Sequence, residues 1–82
     1  MSFGVEWSED AARDLDRLEL LLQRRIFKKV NEFADLGSFH GVKRMSGYDS
    51  LYRLRVGDYR VIFEMVGNSV VVLKVGHRGK IY

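Results

Sequence analysis

Between Leu51 and Val75 the sequence runs as three apolar stretches, residues 51–56, 59–66 and 69–75, parted only by the pairs Gly57-Asp58 and Gly67-Asn68. The stretches are rich in Val, Ile, Leu, Tyr and Phe, and a two-residue link containing glycine between such runs is a β-hairpin signal. Two hairpins in succession make an antiparallel meander, and such a sheet needs a cover over its apolar face.

The N-terminal half supplies it. Phe3, Val5 and Trp7 alternate with Gly4 and Glu6, the period-2 pattern of a half-buried strand. Ser8 is then a good N-cap, with Glu9 and Asp10 where the helix dipole favours negative charge. Ala12, Leu15, Leu18, Leu22, Ile26, Val30 and Phe33 recur every three or four residues, an amphipathic helical stripe, and Gly37 ends it as a C-cap. One rod from Glu9 to Leu36 would be roughly 42 Å long, too long for an 82-residue chain to cover. The spacing therefore predicts a break, placed at the Leu18–Leu22 run, and two antiparallel helices. The polar, glycine-spaced segment Gly37–Gly47 reads as a loop. The expected fold is α+β, in the order β-α-α-β-β-β: an antiparallel meander packed against a helix pair, with residues 1–82 forming one domain.

A chain this short buries only about 60% of the surface its unfolded form exposes, which argues against a deep cofactor cavity. With no Cys there is no thiolate metal site, disulfide or cysteine nucleophile. His40 and His77 lie far apart and have no metal-ligand spacing, so neither a metal nor another cofactor is expected. No basic segment precedes an apolar stretch at the N-terminus, and no window approaches the ~18 apolar residues of a membrane span, so a cytoplasmic protein is expected. Charge is unevenly spread. Residues 1–41 hold eight acids and six bases, a net of −2; residues 42–82 hold three acids and eight bases, a net of +5. A basic half of that kind points to a polyanionic partner, with phosphate first in line.

The meander concentrates that charge. If Gly57-Asp58 is a two-residue turn, Val56 faces Tyr59 and Arg55 lies opposite Arg60. Alternation then sets Leu54, Tyr59, Val61, Phe63 and Met65 on the core face and Arg53, Arg55, Arg60 and Glu64 on the other. Like charges directly opposite one another are destabilising, so three arginines on one face call for an anion, and the planar guanidinium suits phosphate. Extending the second hairpin in the same way pairs Arg60 with Val75 and carries His77 to the arginine face. The terminal run His77-Arg78-Gly79-Lys80-Ile81-Tyr82 places an imidazole, a guanidinium, an ammonium and a phenol beside it.

The string Leu54-Arg55-Val56-Gly57-Asp58-Tyr59-Arg60-Val61-Ile62-Phe63-Glu64, followed by Val75-Gly76-His77-Arg78 and Tyr82, closely resembles the RelE/ParE superfamily of bacterial and archaeal toxins. The likeness extends to the Ser-capped Glu-Asp-Ala-Ala-Arg helix start and to Gln23-Arg24-Arg25-Ile26. RelE-type members are ribosome-dependent endoribonucleases that cut messenger RNA in the decoding site, ParE-type members poison DNA gyrase on the same fold, and each is neutralised by an antitoxin.

The resemblance implies that Arg60 contacts the scissile phosphate, that Arg78 is the family's late arginine and Tyr82 its C-terminal tyrosine, and that Arg53 replaces one lysine of a pair. Leu51 stands where the first lysine of that pair would be, and no counterpart follows Tyr82 of the C-terminal helix some relatives carry. Either Arg78 or His77 could protonate the leaving oxygen; Arg55, Lys43, Arg44 and Lys80 complete an expected RNA-binding surface. The expected partners are a cognate antitoxin, the ribosome and its messenger. The expected function is metal-free cleavage of messenger by 2′-hydroxyl attack, inhibiting translation. A gyrase-binding toxin without nuclease activity and an inactive RNA- or partner-binding module stand as alternatives. Tyr82 favours the first reading, because its ring can stack on a base and its hydroxyl can lie near the phosphate.

Overall fold

The computed structural model describes residues 3–37, 41–45, 47 and 50–79. The chain runs β1 (Gly4–Trp7), α1 (Glu9–Asp16), α2 (Leu20–Leu36), β2 (Val42–Arg44), β3 (Leu51–Val56), β4 (Tyr59–Val66) and β5 (Ser69–His77). The strands form one sheet in the order β1-β5-β4-β3-β2. The meander is present as expected, with Val56 opposite Tyr59 and Val66 opposite Ser69 across the two turns. Each turn bends at its glycine, Gly57 at φ 59° and Gly67 at φ 58°, the first-position glycine that a II′ hairpin requires.

The sheet departs from the expected one in two respects. It is mixed, because β1 lies parallel to β5 on its outer side, Val5 opposite Val70 and Trp7 opposite Val72. It also has a fifth strand where a loop was expected: Val42–Arg44 pairs antiparallel with β3. Three residues are too few for alternation to stand out in a sequence, and the strand exists because the edge of β3 offers unpaired backbone groups for it to satisfy.

The helix break falls at Arg17–Glu19, overlapping the expected run at its start. No glycine or proline makes it. Arg17 and Leu18 close the end of α1 with backbone bonds to the carbonyls of Asp14 and Leu15, and the Gln23 side-chain amide donates to the Leu18 carbonyl at 2.8 Å. That side-chain bond satisfies a carbonyl the helix leaves orphaned, so the chain can restart at α2 without a cap from Glu19. Ser8 caps α1 as expected, its Oγ accepting from the Ala11 amide at 3.1 Å. Gly37, at φ 64°, closes α2 through its N–H to the Phe33 carbonyl.

The core lies between the helices and one sheet face. It contains Ala11 and Leu15 of α1, Ile26, Val30, Phe33 and Ala34 of α2, and Leu54, Val56, Val61, Phe63, Val70, Val72 and Val75 of the sheet, all buried. The first residue of the apolar stripe is thus Ala11; Ala12, one position round the helix, is exposed. Phe63 is the keystone, its ring 5.0 Å from Phe33 and stacked 5.5 Å from Tyr52. Trp7 flanks the core, its ring meeting Phe27 edge-on at 4.9 Å.

One irregularity in β5 governs the site. From the second turn inward, Val66 to Phe63 pair with Ser69 to Val72 in step, but Ile62 pairs with Lys74 and Leu73 is left over as a bulge. The bulge is anchored from the helix side. Ser8 Oγ donates to the Leu73 carbonyl at 3.0 Å, and Asp14 Oδ2 accepts the Val75 N–H at 3.0 Å where β1 has already ended. Beyond the bulge Arg60 faces Gly76 rather than Val75, and Tyr59 faces His77.

Candidate functional site

Opposite the core the sheet shows an open face whose side chains fall into rows across the strands. Nearest the Gly57-Asp58 turn lie Arg55, Arg60 and Gly76, with the Gly41 carbonyl accepting from the Arg55 amide at 2.9 Å. The next row is Lys43, Arg53, Ile62 and Lys74. The third is Leu51, Glu64, Val71 and Glu6. Two basic rows therefore stand beside one that is apolar and acidic.

The structure thus brings together Arg53, Arg55, Arg60 and Lys43 of the expected residues. With Gly41 and Val42 they line a pocket of about 220 Å³. Larger hollows of about 380 and 410 Å³ border the helices, the second at the edge of β5 where Lys74 and Gly76 also reach it, but each mixes signs: Glu19, Asp58 and Arg25 in one, Asp14, Arg17, Lys74 and His77 in the other. Among the described residues the arginine pocket alone of these three has no acid in its wall, which makes it the one suited to an anion. Among the described residues Lys43, Arg55 and Arg60 make no ion pair.

Arg60 is held rather than trailing. Its Nη1 donates to the Tyr59 carbonyl at 3.2 Å and lies 3.5 Å from that of Gly57, so the guanidinium is drawn over the turn and leaves other N–H groups for a ligand. Arg53 and Arg60 are partly buried, whereas Arg55 and Lys43 are exposed. The face is open to water, where fields between charges are weak and salt-screened; the full strength of the cluster is reached only when a partner covers it.

Two expected placements change, and one further residue joins the face. His77 is not on the arginine face: the bulge rotates it to the helix side, where its ring meets Tyr59 edge-on at 5.5 Å and its Nδ1 accepts from the Gly79 amide at 3.3 Å. Arg44 pairs with Tyr52 and so belongs to the helix side of β2, apart from Lys43. Lys74, not among the expected residues, joins the arginine face. The signal for it was present. An unbroken alternation from Val70 and Val72 would drive Lys74 into the core, at a cost that an unpaired buried ammonium makes prohibitive. Arg78 sits in the turn after β5, beside the Gly57-Asp58 turn, its amide donating to the Asp58 carbonyl at 2.9 Å. Lys80 and Tyr82, like His40, lie outside the described residues. Among the described residues no group of three or more His, Asp or Glu is placed to hold a metal ion.

A two-helix layer over a five-stranded sheet, with a basic open face, defines a small α+β domain. The family model described as the ParE toxin of type II toxin-antitoxin system, parDE, matches residues 5–82, and the chain belongs to that family, within the RelE/ParE toxin superfamily. Toxin RelE3 of Methanocaldococcus jannaschii is 29% identical over 82 residues, covering 95% of this chain and 93% of that one. The fold matches the RelB-RelE antitoxin-toxin complex from Methanococcus jannaschii with a TM-score of 0.79 at 28% identity, over 94% of each chain. It matches the archaeal RelE-RelB complex from Pyrococcus horikoshii OT3 with a TM-score of 0.80 at 25% identity, over 98% of this chain and 99% of that one. The chromosomal ParDE system from P. aeruginosa, at 18% identity and a TM-score of 0.73 over 92% of this chain and 95% of that one, shares the fold.

Proposed function

We propose that this chain is the toxin of a type II toxin-antitoxin pair that cleaves messenger RNA in the ribosomal decoding site. The observation that carries the proposal is the pocket of Lys43, Arg53, Arg55 and Arg60 on the sheet, which no acid among the described residues lines. The step is in-line transesterification. The 2′-hydroxyl gives up its proton to solvent and attacks the adjacent phosphorus, a cyclic phosphate forms, and the bond to the 5′-oxygen breaks, that oxygen taking up a proton to leave as a 5′-hydroxyl. Negative charge on the phosphoryl oxygens rises in the transition state, where fixed cations act most strongly in a site closed to water. Arg60 is the residue for this task, Arg53 and Arg55 support it, and Lys43 holds a flanking phosphate. Arg78, or Tyr82, donates the proton to the leaving oxygen; His77 faces the other way. Because the face is open in the isolated chain, the ribosome would supply the cover that dries it, which accounts for dependence on the ribosome.

The solved relatives crystallised as RelB-RelE complexes support a cognate antitoxin as the resting partner of this chain as well. The second reading is a gyrase poison. It is favoured by the match to the ParE family model and by the displacement of His77, which leaves the open face without an imidazole among the described residues. Incubating translating ribosomes with the protein and mapping messenger 5′-hydroxyl ends decides between them. Cuts in the decoding site support the nuclease; intact messenger together with inhibited supercoiling moves the gyrase reading ahead.

A further inference from the structure

Lys74 has no part in the reading just given, yet the Leu73 bulge puts it on the same face. It occupies the row of Lys43, Arg53 and Ile62, on the far side of β4 from the arginine pocket. It is exposed, and no carboxylate among the described residues pairs with it. Ile62, between Arg53 and Lys74, is only 8% exposed although it belongs to the open face, as expected of an apolar side chain flanked by long cationic stems. The neighbouring row toward the second turn carries Glu64 and Glu6, with Glu64 fixed by a 3.1 Å bond from Ser50 Oγ.

Resting on the reading of the arginine face as an RNA site, we infer that Lys74 is a further phosphate-binding residue and that the RNA strand lies across the β-strands, from Lys43 on β2 to Lys74 on β5. A strand laid along the β-strands would run from the arginines of β3 and β4 onto the acidic row, where phosphate would meet Glu64. A strand laid across them stays on the two basic rows throughout. Three interstrand steps of about 4.8 Å separate β2 from β5, about 14 Å in all. At the ~3.4 Å rise per phosphate of a stacked strand that span holds about four intervals and so about five phosphates, with Lys43 and Lys74 at the ends and Arg53, Arg55 and Arg60 between. The bulge thus sets the length of the site as well as its composition: in step, β5 would present Leu73 and Val75 to this face and the cationic path would stop at Arg60.

The test uses the full chain and a labelled, non-cleavable 2′-O-methyl RNA 12-mer, titrated by fluorescence anisotropy between 50 and 200 mM NaCl. Each phosphate neutralised on a single strand contributes about 0.7 to the slope of log K against log salt. Lys74→Gln should lower the slope by about 0.7, which by counterion release alone is about eightfold in affinity at 50 mM and about threefold at 200 mM. Lys74→Arg should restore both, and Lys28→Gln on the exposed side of α2 should alter neither. Thermal melts of all variants should superimpose, since Lys74 is exposed. A wild-type slope that Lys74→Gln leaves unchanged overturns the crossing path while the arginine face keeps its RNA role. Failure of the wild type to bind the 12-mer in a salt-dependent way overturns both.

Discussion

Arg60→Ala separates catalysis from stability more cleanly than any other change on the open face. In the folded chain the Arg60 guanidinium makes one bond of ordinary length, 3.2 Å to the Tyr59 carbonyl, and a 3.5 Å contact to that of Gly57 too long to count for much. Losing them costs about 0.5–1.5 kcal/mol, less for a partly exposed group whose carbonyls water can reach. Against that stands Arg55, directly opposite across the hairpin, and removing one of two facing like charges returns a few tenths of a kcal/mol to about 1 kcal/mol. The two nearly cancel, so the melting temperature should move by no more than about 4 °C in a domain of this size. Cleavage should suffer far more. Removing one preorganised donor from a charge-stabilising site costs about 2.7–4 kcal/mol, or about 10²–10³ in rate. The assay is single-turnover messenger cleavage on programmed ribosomes, with growth arrest on induction as the cellular readout and a melt as the folding control. A variant that melts like the wild type and still cuts within a factor of about three would refute the assignment of Arg60. A variant that unfolds would refute the cancellation argued from its geometry.

His77→Gln should leave single-turnover cleavage within about threefold, a change of well under 1 kcal/mol, because the ring lies on the helix side against Tyr59; a loss of 10² would show that it reaches the reacting phosphate. Asp14→Ala removes the acceptor of the Val75 N–H at the open edge of β5 and should destabilise by about 1–3 kcal/mol, seen as a lower urea midpoint with unchanged m. Gly37→Ala should cost about 1–2 kcal/mol through its φ of 64° alone, since nothing lies within 4 Å of the added methyl, and Gly37→Asn should cost less; equal melts for the glycine and alanine forms would contradict the left-handed cap.

The arginine cluster was legible because a hairpin with a two-residue turn leaves no freedom of register. Gly57-Asp58 forces Arg55 opposite Arg60, and alternation does the rest. The same logic failed one hairpin later. The turn at Gly67-Asn68 is equally plain, but register propagates only until a residue is inserted, and the one local sign of the bulge at Leu73 is indirect, the charge of Lys74 that unbroken alternation would bury. What fixes it is remote in sequence, a hydroxyl on Ser8 and a carboxylate on Asp14 that bond β5 where β1 has ended. Lys43 was named from composition, but its place in the pocket depends on β2. That strand forms only because β3 has an edge to complete, and its backbone partner Gly41 carries no side-chain signal at all.

The bulge therefore decides which side chains the toxin shows to its partner. Two registers of β5 differ by one residue, yet one gives an open face with His77 and no Lys74, and the other a face with Lys74 and no His77. The first would put an ammonium where Val75 now sits, 4% exposed in the core, and a desolvated unpaired charge costs several kcal/mol. Core chemistry thus selects the register, and the composition of the functional face follows from it. Deleting Leu73 would remove the extra residue and leave Lys74 opposite Ile62, Val75 opposite Val61 and His77 opposite Tyr59, so both faces would keep their composition. The expected product is a folded chain with the same functional face, losing about 0.5–1.5 kcal/mol with the Ser8 bond to the Leu73 carbonyl, as a thermal melt would show; a chain that does not fold would refute the view that core burial of Val75 and exposure of Lys74, rather than the bulge itself, decide the register.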